Sequence, residues 1–222
     1  VDHSGLPGMW AELSIDGLDR PRSYSYAAAP KNENPNEFTF FIRKVPGGKF
    51  TEWLFSQDRK NDQQVTVNGP FGSFYLRDKK TPIVCIAGGS GLAPIKALLE
   101  GGVLDQTERD VVFLFGARTQ DDLYCVDEIK DLKEKWNKDY KFDFIPVLNM
   151  EPEDSSWSGG RGLATDYFEE EIIKKDSVDV SEWQGYLCGP PPMIDAACEV
   201  LQKHGIKSDE IFYDKFTDSR DL

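Results

Sequence analysis

The feature that most constrains this chain is Ile83-Val84-Cys85-Ile86-Ala87, an unbroken apolar run that ends in Gly88-Gly89-Ser90-Gly91 and opens a helix-forming segment. A short apolar run bounded by glycines is what a strand buried on both faces of a parallel sheet requires. The same rhythm repeats downstream. Strand-like runs fall at Val111 to Phe115, Phe142 to Leu148, Gly185 to Cys188 and Ile211 to Phe216, with helical segments expected near Val126 to Trp136, Asp166 to Lys174 and Pro192 to His204. Strands alternating with helices in this way predict a doubly wound α/β parallel sheet. Residues 149–162 (NMEPEDSSWSGGRG) have no periodicity and read as a surface loop.

Ahead of Asp78 the pattern changes to short runs separated by turn signals, so the chain divides into a first domain over 1–78 and a second over 79–222. Its 222 residues are enough for two such units. Strands are expected at Trp10 to Ile15, at the aromatic stretch Phe38 to Val45, and at Gln64 to Val67 ahead of an Asn68-Gly69-Pro70 turn. Together they read as a small barrel or sandwich.

Charge and composition remove several functions. The 26 basic and 39 acidic residues give a net charge of -13, which repels phosphate backbones and argues against nucleic acid as a partner. No apolar run approaches the ~20 residues of a membrane-spanning helix, and Val1-Asp2-His3-Ser4 has no signal-peptide pattern, so no membrane insertion and a cytoplasmic location are expected. The chain has no initiator Met, and the expectation is that it begins mid-protein. Cys85, Cys125, Cys188 and Cys198 form no C-x-x-C pair and read as free thiols. Only His3 and His204 exist, so neither a histidine-based triad nor a metal site is expected, and Glu169-Glu170-Glu171 reads as a solvated helix face.

The residues that could carry chemistry lie at strand ends. Gly88-Gly89-Ser90-Gly91-Leu92-Ala93-Pro94 is a glycine turn from strand to helix, where the backbone can approach a pyrophosphate and the helix start offers free N–H groups. It lacks the third glycine of G-x-G-x-x-G: Pro94 stands there. A second glycine turn, Cys188-Gly189-Pro190-Pro191, follows another strand, and Cys188 would sit either at the rim of a cleft or as a buried strand-end thiol. In the first part, Arg22 and Tyr24 share a strand face, one suited to a phosphate and the other to a flat ring. Gly47-Gly48-Lys49-Phe50-Thr51 reads as a glycine turn entering a short helix. From spacing alone, each of these serves equally as an ordinary turn, strand or cap.

Taken in order, Arg22-Ser23-Tyr24-Ser25, Gly47 to Thr51, Gly88 to Pro94, Cys188 to Pro191 and Tyr213-Asp214-Lys215-Phe216 resemble the ferredoxin-NADP reductase superfamily. Within it the chain is similar to the reductase components of bacterial multicomponent oxygenases, such as methane monooxygenase reductase and phenol hydroxylase reductase. The resemblance implies an antiparallel β-barrel flavin domain followed by an α/β nicotinamide-binding domain. It further implies that Arg22 contacts the flavin pyrophosphate, Tyr24 stacks on the ring and Ser25 bonds near it. Ser23, Ile42 and Arg43 complete that side, with Gly48, Lys49, Phe50 and Thr51 as a phosphate site. Gly88, Gly89, Ser90, Gly91, Ala93 and Pro94 would hold dinucleotide phosphates, Gly116, Ala117 and Arg118 the adenosine, and Cys188, Gly189, Pro190 and Pro191 the nicotinamide. Phe216 would cover the flavin and move aside for nicotinamide, and Ser25, Cys188 and Phe216 would be the residues nearest the reaction.

The implied cofactors are FAD and NADH, with NADPH less favoured because no second basic residue accompanies Arg118 before Asp121-Asp122. The implied activity is transfer of a hydride from NADH to FAD and of single electrons to an iron-sulfur centre serving an oxygenase. No C-x₄-C-x₂-C pattern is present, so any [2Fe-2S] cluster belongs to missing sequence or to a partner, an iron-sulfur domain or ferredoxin. Gly5-Leu6-Pro7-Gly8-Met9-Trp10 looks like a turn that the family barrel reaches after earlier strands, which implies a barrel truncated at its N-terminus. A nucleotide-binding redox sensor without sustained turnover, a cytochrome b5 reductase-like enzyme and a free-flavin reductase are the competing readings.

Overall fold

The structure, a computed structural model, describes residues 7–29, 37–57 and 64–217; His3, the chain start at Val1 to Ser4, and the Gly5-Leu6 part of the expected turn lie outside the described residues. The described strands form two sheets. The first is antiparallel, in the order β2-β1-β3, from β1 (Trp10–Ser14), β2 (Arg22–Ser25) and β3 (Thr66–Phe71). β1 alternates as expected, with Ala11 and Leu13 buried and their neighbours partly exposed.

Two expectations for this part are corrected. Residues 38–45 form no strand; Phe40 makes a single bridge to Tyr26, and Ala27 N–H donates to Thr39 O at 2.8 Å. The side chains still alternate, Phe38 and Phe40 lying 5.7 and 5.1 Å from Tyr26 while Phe41 lies 5.7 Å from Tyr124, so the segment is held by rings and not by a ladder. Asn68-Gly69-Pro70 is likewise no turn: β3 runs through it. Trp10 pairs with Phe71 and Glu12 with Asn68, so β3 carries one extra residue there, and a bulge on an edge strand is where a proline costs no ladder bond. The expected short helix is present as α1 (Lys49–Leu54).

The second sheet is parallel and six-stranded, in the order β7-β6-β5-β4-β8-β9. Its strands are β4 (Ile83–Gly88), β5 (Val111–Ala117), β6 (Phe142–Leu148), β7 (Gly160–Arg161), β8 (Gln184–Gly189) and β9 (Ile211–Lys215). β7 corrects the reading of 149–162 as loop throughout: Gly160 and Arg161 pair with Val147 and Leu148, and a Cβ at Gly160 would press on Val147 and Tyr167. The helices are α2 (Leu92–Leu104), α3 (Val126–Lys135), α4 (Ala164–Tyr167) and α5 (Pro191–Lys203). α4 continues as a π-turn over Phe168–Lys174, whose wider winding places Phe168 and Ile173, five residues apart, in the core.

Alternation along β4 divides the interior in two. Ile83, Cys85 and Ala87 join a core under α2 and α3, while Val84 and Ile86 join another under α4 and α5, which is the doubly wound arrangement expected. α2 is buried from Leu92 to Leu99, Lys96 included, because the sheet covers one side and Pro7, Gly8 and Ala27 to Ala29 of the first part approach the other. The chain passes between the sheets through Ser73 to Thr81, where the buried Arg109 donates to Thr81 O at 2.5 Å, Arg77 O at 3.1 Å and Gln184 Oε1 at 2.7 Å. The Arg77 guanidinium lies between the rings of Tyr75 and Phe212, and the Arg77 backbone N–H donates to Tyr186 Oη at 2.9 Å.

Candidate active site

From β4 the chain runs outward through β5, β6 and β7, then returns to place β8 on β4's other side. The strand order therefore reverses between β4 and β8, and ligands of open α/β sheets bind at the carboxyl ends beside such a reversal. Both glycine turns singled out in the sequence sit there. Register fixes their neighbours: Gly88 is opposite Gly116, Ala87 opposite Cys188, and Cys188 opposite Asp214.

The glycines do two different jobs. A Cβ on Gly91 would collide with the carbonyl of Cys188, and one on Gly88 would lie 2.6 Å from Met193 Sδ, so these two let the turns close on each other. Gly89 has φ +55 and open space where a Cβ would be; with Ser90 it is exposed, in the turn that leads into α2. Ala93 and Pro94 are buried in the first turn of α2, whereas Gly189 takes φ +151 against Gly88 and Pro190 is exposed. Tyr124, which sequence reasoning missed, donates its hydroxyl to Gly89 O at 2.8 Å and packs on Phe115 and Phe41. No spacing marks it; only the fold brings it beneath the loop.

Cys188 is fully buried at the end of β8, the second of the two placements left open by the sequence. Burial, and after it the neighbouring Asp214, push its thiol well above the ordinary value, so it is a neutral S–H. Burial also raises the carboxyl of Asp214 to about 6. Asp214 was visible in the sequence as the one acid in an aromatic strand end, and its role was missed. Phe216 is half-buried against the same core and donates its N–H to Gly189 O at 2.9 Å, which holds it beside the second turn.

On the first sheet, Arg22 donates to Asp19 Oδ1 at 3.1 Å and Lys49 Nζ stands 3.9 Å from Asp19 Oδ2, so two cations converge on one exposed carboxylate. The ring of half-buried Tyr24 lies 5.7 Å from Phe50, Ser25 is buried at the end of β2, and Ser23 is exposed. Phe50 and Thr51 are buried, and the Thr51 hydroxyl donates to Val45 O and Gly48 O and accepts from Val45 N–H, so these two build the turn that presents Gly48 and Lys49. Ile42 is half-buried and Arg43 exposed. Gly116 and Ala117 end β5, and the exposed Arg118 makes a two-pronged pair with Asp122, at 3.1 and 3.2 Å.

This donor set fits a flavin dinucleotide: on the antiparallel sheet two basic groups meet at one point with an aromatic ring next to them, and at the reversal point of the parallel sheet a helix starts beside an open left-handed glycine. Residues 85–199 match the oxidoreductase NAD-binding domain and residues 8–75 the oxidoreductase FAD-binding domain. The chain belongs to the oxidoreductase NAD-binding family. This oxidoreductase is 43% identical over 210 residues to the xylene/toluene monooxygenase electron transfer component of Pseudomonas putida, covering 95% of this chain and 57% of that one. It is 38% identical to the propane 2-monooxygenase reductase component of Mycolicibacterium smegmatis, covering 95% and 59%. The chain thus spans less than two thirds of those relatives. Among solved structures, an Amycolatopsis cytochrome P450 reductase matches with a TM-score of 0.82 and 30% identity, over 96% of this chain and 62% of that one. The ferredoxin reductase of carbazole 1,9a-dioxygenase matches at 0.77 and 29%, over 96% and 61%. The fold is that of the ferredoxin reductases, a small antiparallel sheet joined to a six-stranded parallel one. Among the described residues no cluster of His, Cys, Asp and Glu could hold a metal, and no helix is long and apolar enough to cross a membrane.

Proposed function

We propose that this chain is the flavin- and nicotinamide-binding part of an electron-transfer reductase that oxidises NADH and delivers electrons to an iron-sulfur centre serving an oxygenase. The observation that carries this is the presence of two glycine turns at the β4/β8 reversal of one sheet together with Arg22 and Lys49 converging on Asp19 beside Tyr24 on the other. The FAD- and NAD-binding family matches and the oxygenase reductase relatives support it. In this reading the first domain is 1–78, the second 79–222, and the protein works in the cytoplasm.

Arg22 and Lys49 exchange Asp19 for the FAD diphosphate, with the turn at Gly48 bringing Lys49 into place through Phe50 and Thr51. Tyr24 lies on the flavin, braced by Phe50, with Ser23, Ser25, Ile42 and Arg43 around it. Bound FAD supplies the redox chemistry, converting a two-electron donor into single-electron transfers. Gly89, Ser90 and the turn that opens α2 hold the dinucleotide phosphates, with Ala93 and the φ-locked Pro94 fixing its first turn, while Gly88 and Gly91 give the close approach of the turns. Gly116, Ala117 and Arg118 form the adenosine side. Asp122 holds Arg118 by both oxygens, which favours NADH over NADPH because a 2′-phosphate would have to displace a carboxylate. Cys188, Gly189, Pro190 and Pro191 form the nicotinamide wall. Phe216 excludes water until nicotinamide enters, and Asp214 stands beside Cys188 with a carboxyl that takes up a proton below about 6.

The test is an anaerobic absorbance titration of the FAD-loaded chain with NADH and then NADPH. Bleaching at stoichiometric NADH, with repeated turnover to ferricyanide, is expected; binding of both nucleotides without turnover would make the protein a sensor instead.

A further inference from the structure

We propose that the buried ion pair Lys96–Glu100 is a positioning latch that sets the angle between the two sheets, and so the approach of nicotinamide to flavin. This rests on the function proposed above. Lys96 and Glu100 stand one turn apart on α2, with side chains only 10% and 23% exposed, and form an ion pair with each other. Each also reaches across to the first part: Lys96 Nζ donates to Ala27 O at 3.2 Å, and Glu100 Oε2 accepts from Ala29 N–H at 2.8 Å. Ala27 follows Tyr24 and Ser25 by a few residues, and α2 starts from the Gly89–Gly91 turn. The latch therefore joins the strand end proposed to face flavin to the helix that leaves the nucleotide loop.

Two neighbouring contacts along α2 are apolar. Gly101 lies against Pro7 and Gly8 against Leu98. Such contacts hold surfaces together but have no direction, so they permit sliding. The latch bonds are directional and fix one alignment. Burial of a lysine is also a poor way to gain stability, because desolvation offsets the attraction, and apolar replacement of such pairs is often neutral or stabilising. Ile95, Ala97, Leu98 and Leu99 show that an apolar side chain suits this stretch of α2. A charged pair there is thus better explained by alignment than by stability.

The experiment compares the FAD-loaded wild type with Lys96→Met, Glu100→Gln and the double variant. It measures the stopped-flow rate of flavin reduction by NADH, the affinities for FAD and NADH, thermal stability, and amide hydrogen exchange of residues 26–29. Glu100→Gln retains an acceptor for Ala29, and Met is apolar, so both variants keep the fold. Each single variant is expected to slow reduction about tenfold or more, since small misplacements cost that much. FAD and NADH affinities stay within about twofold; the melting temperature falls in each single variant, which leaves one charge unpaired, and recovers in the double variant. The double variant is no slower than either single, as expected of one unit, and exchange at Ala27 to Ala29 rises. Unchanged rates and exchange would overturn the latch. So would slowing that is relieved in the double variant together with the melting temperature, or that tracks a fall in FAD affinity. If the wild type itself is not reduced by NADH, the proposed function fails; if it is reduced and the variants keep pace, only the latch does.

Discussion

β3 and β4 each have six residues, yet they live in opposite surroundings. Every residue of β4 is buried, while β3 is exposed from Thr66 to Pro70. Both apolar clusters of the described residues lie on the faces of the parallel sheet, and from the chain before Asp78 they take in only Phe74, with Leu76 packed alongside. The antiparallel sheet therefore has little core of its own here, and its position depends on a few directional bonds: the latch on α2 and the network around Arg109. The parallel sheet is held by area, the antiparallel one by geometry. Perturbations should separate the two.

The largest effect is expected at Arg109. Arg109→Leu would remove three bonds from a buried cation, the donor to Thr81 O and one of the donors to each of Arg77 O and Gln184 Oε1, at a cost of about 3–5 kcal/mol, measured by chemical denaturation. Because two of those carbonyls belong to the segment joining the sheets, the antiparallel part should become protease-sensitive first. A loss below about 1 kcal/mol would show that the antiparallel sheet supports itself.

Gly91 and Gly89 sharpen the contrast within the parallel sheet. Gly91→Ala drives a methyl into the Cys188 backbone and should cost about 3 kcal/mol. Gly89→Ala meets nothing and bears only the strain of φ +55, about 1 kcal/mol, but its methyl faces the proposed phosphate site. Melting curves and NADH titrations should thus rank them oppositely, Gly91→Ala the less stable and Gly89→Ala the weaker binder relative to its stability.

How much of this was legible follows the same division. Phe142 to Leu148 was read to the residue, and β4 was found from its apolar run, because burial on both faces leaves no other pattern. Phe38 to Val45 has strand composition but packs by its rings, and the Asn68-Gly69-Pro70 turn signal is overridden by a bulge on an edge strand. At the site, glycines and aromatics could be read from motifs. Asp214, Tyr124, Lys96, Glu100 and Arg109 could not, because each acts through a partner distant in sequence, supplied by strand register or helix docking. Lys96 and Glu100 did leave a trace: two opposite charges four apart in an otherwise apolar helix.

Asp214 gives a smaller effect with a defined sign. Burial moves its carboxyl from an ordinary 3.8 to about 6 in the folded chain, which therefore binds the proton more tightly than the unfolded one. The stability this proton confers is complete below about 3.8 and is lost as pH rises to about 6. Above that, the buried carboxylate costs about 2–3 kcal/mol. Asp214→Asn should therefore be more stable than wild type at pH 7.5 and no different at pH 4, by thermal melts at both. Equal gains at both values would mean the carboxyl is solvated.

The smallest effect is expected at Glu169, on the helical face read as solvated. Glu170 and Glu171 fit that reading, each paired four residues on with Lys174 or Lys175. Glu169 instead accepts from Lys203 at 2.7 Å and lies 2.9 Å from His204 Nε2, joining the π-turned segment to the end of α5. The bonds from Lys203 and then His204 lower its carboxyl to about 2. A lowered acid has the opposite sign to Asp214: its contribution is present above the ordinary value of 4.5 and disappears as pH falls toward 2. Glu169→Gln should lie slightly below wild type at neutral pH, the gap closing between about 4.5 and 2, and raised salt should narrow it further, since the group is near solvent. Acid titration of stability at two salt concentrations checks this, and a gap that persists at pH 2 would assign the effect to packing and not to charge.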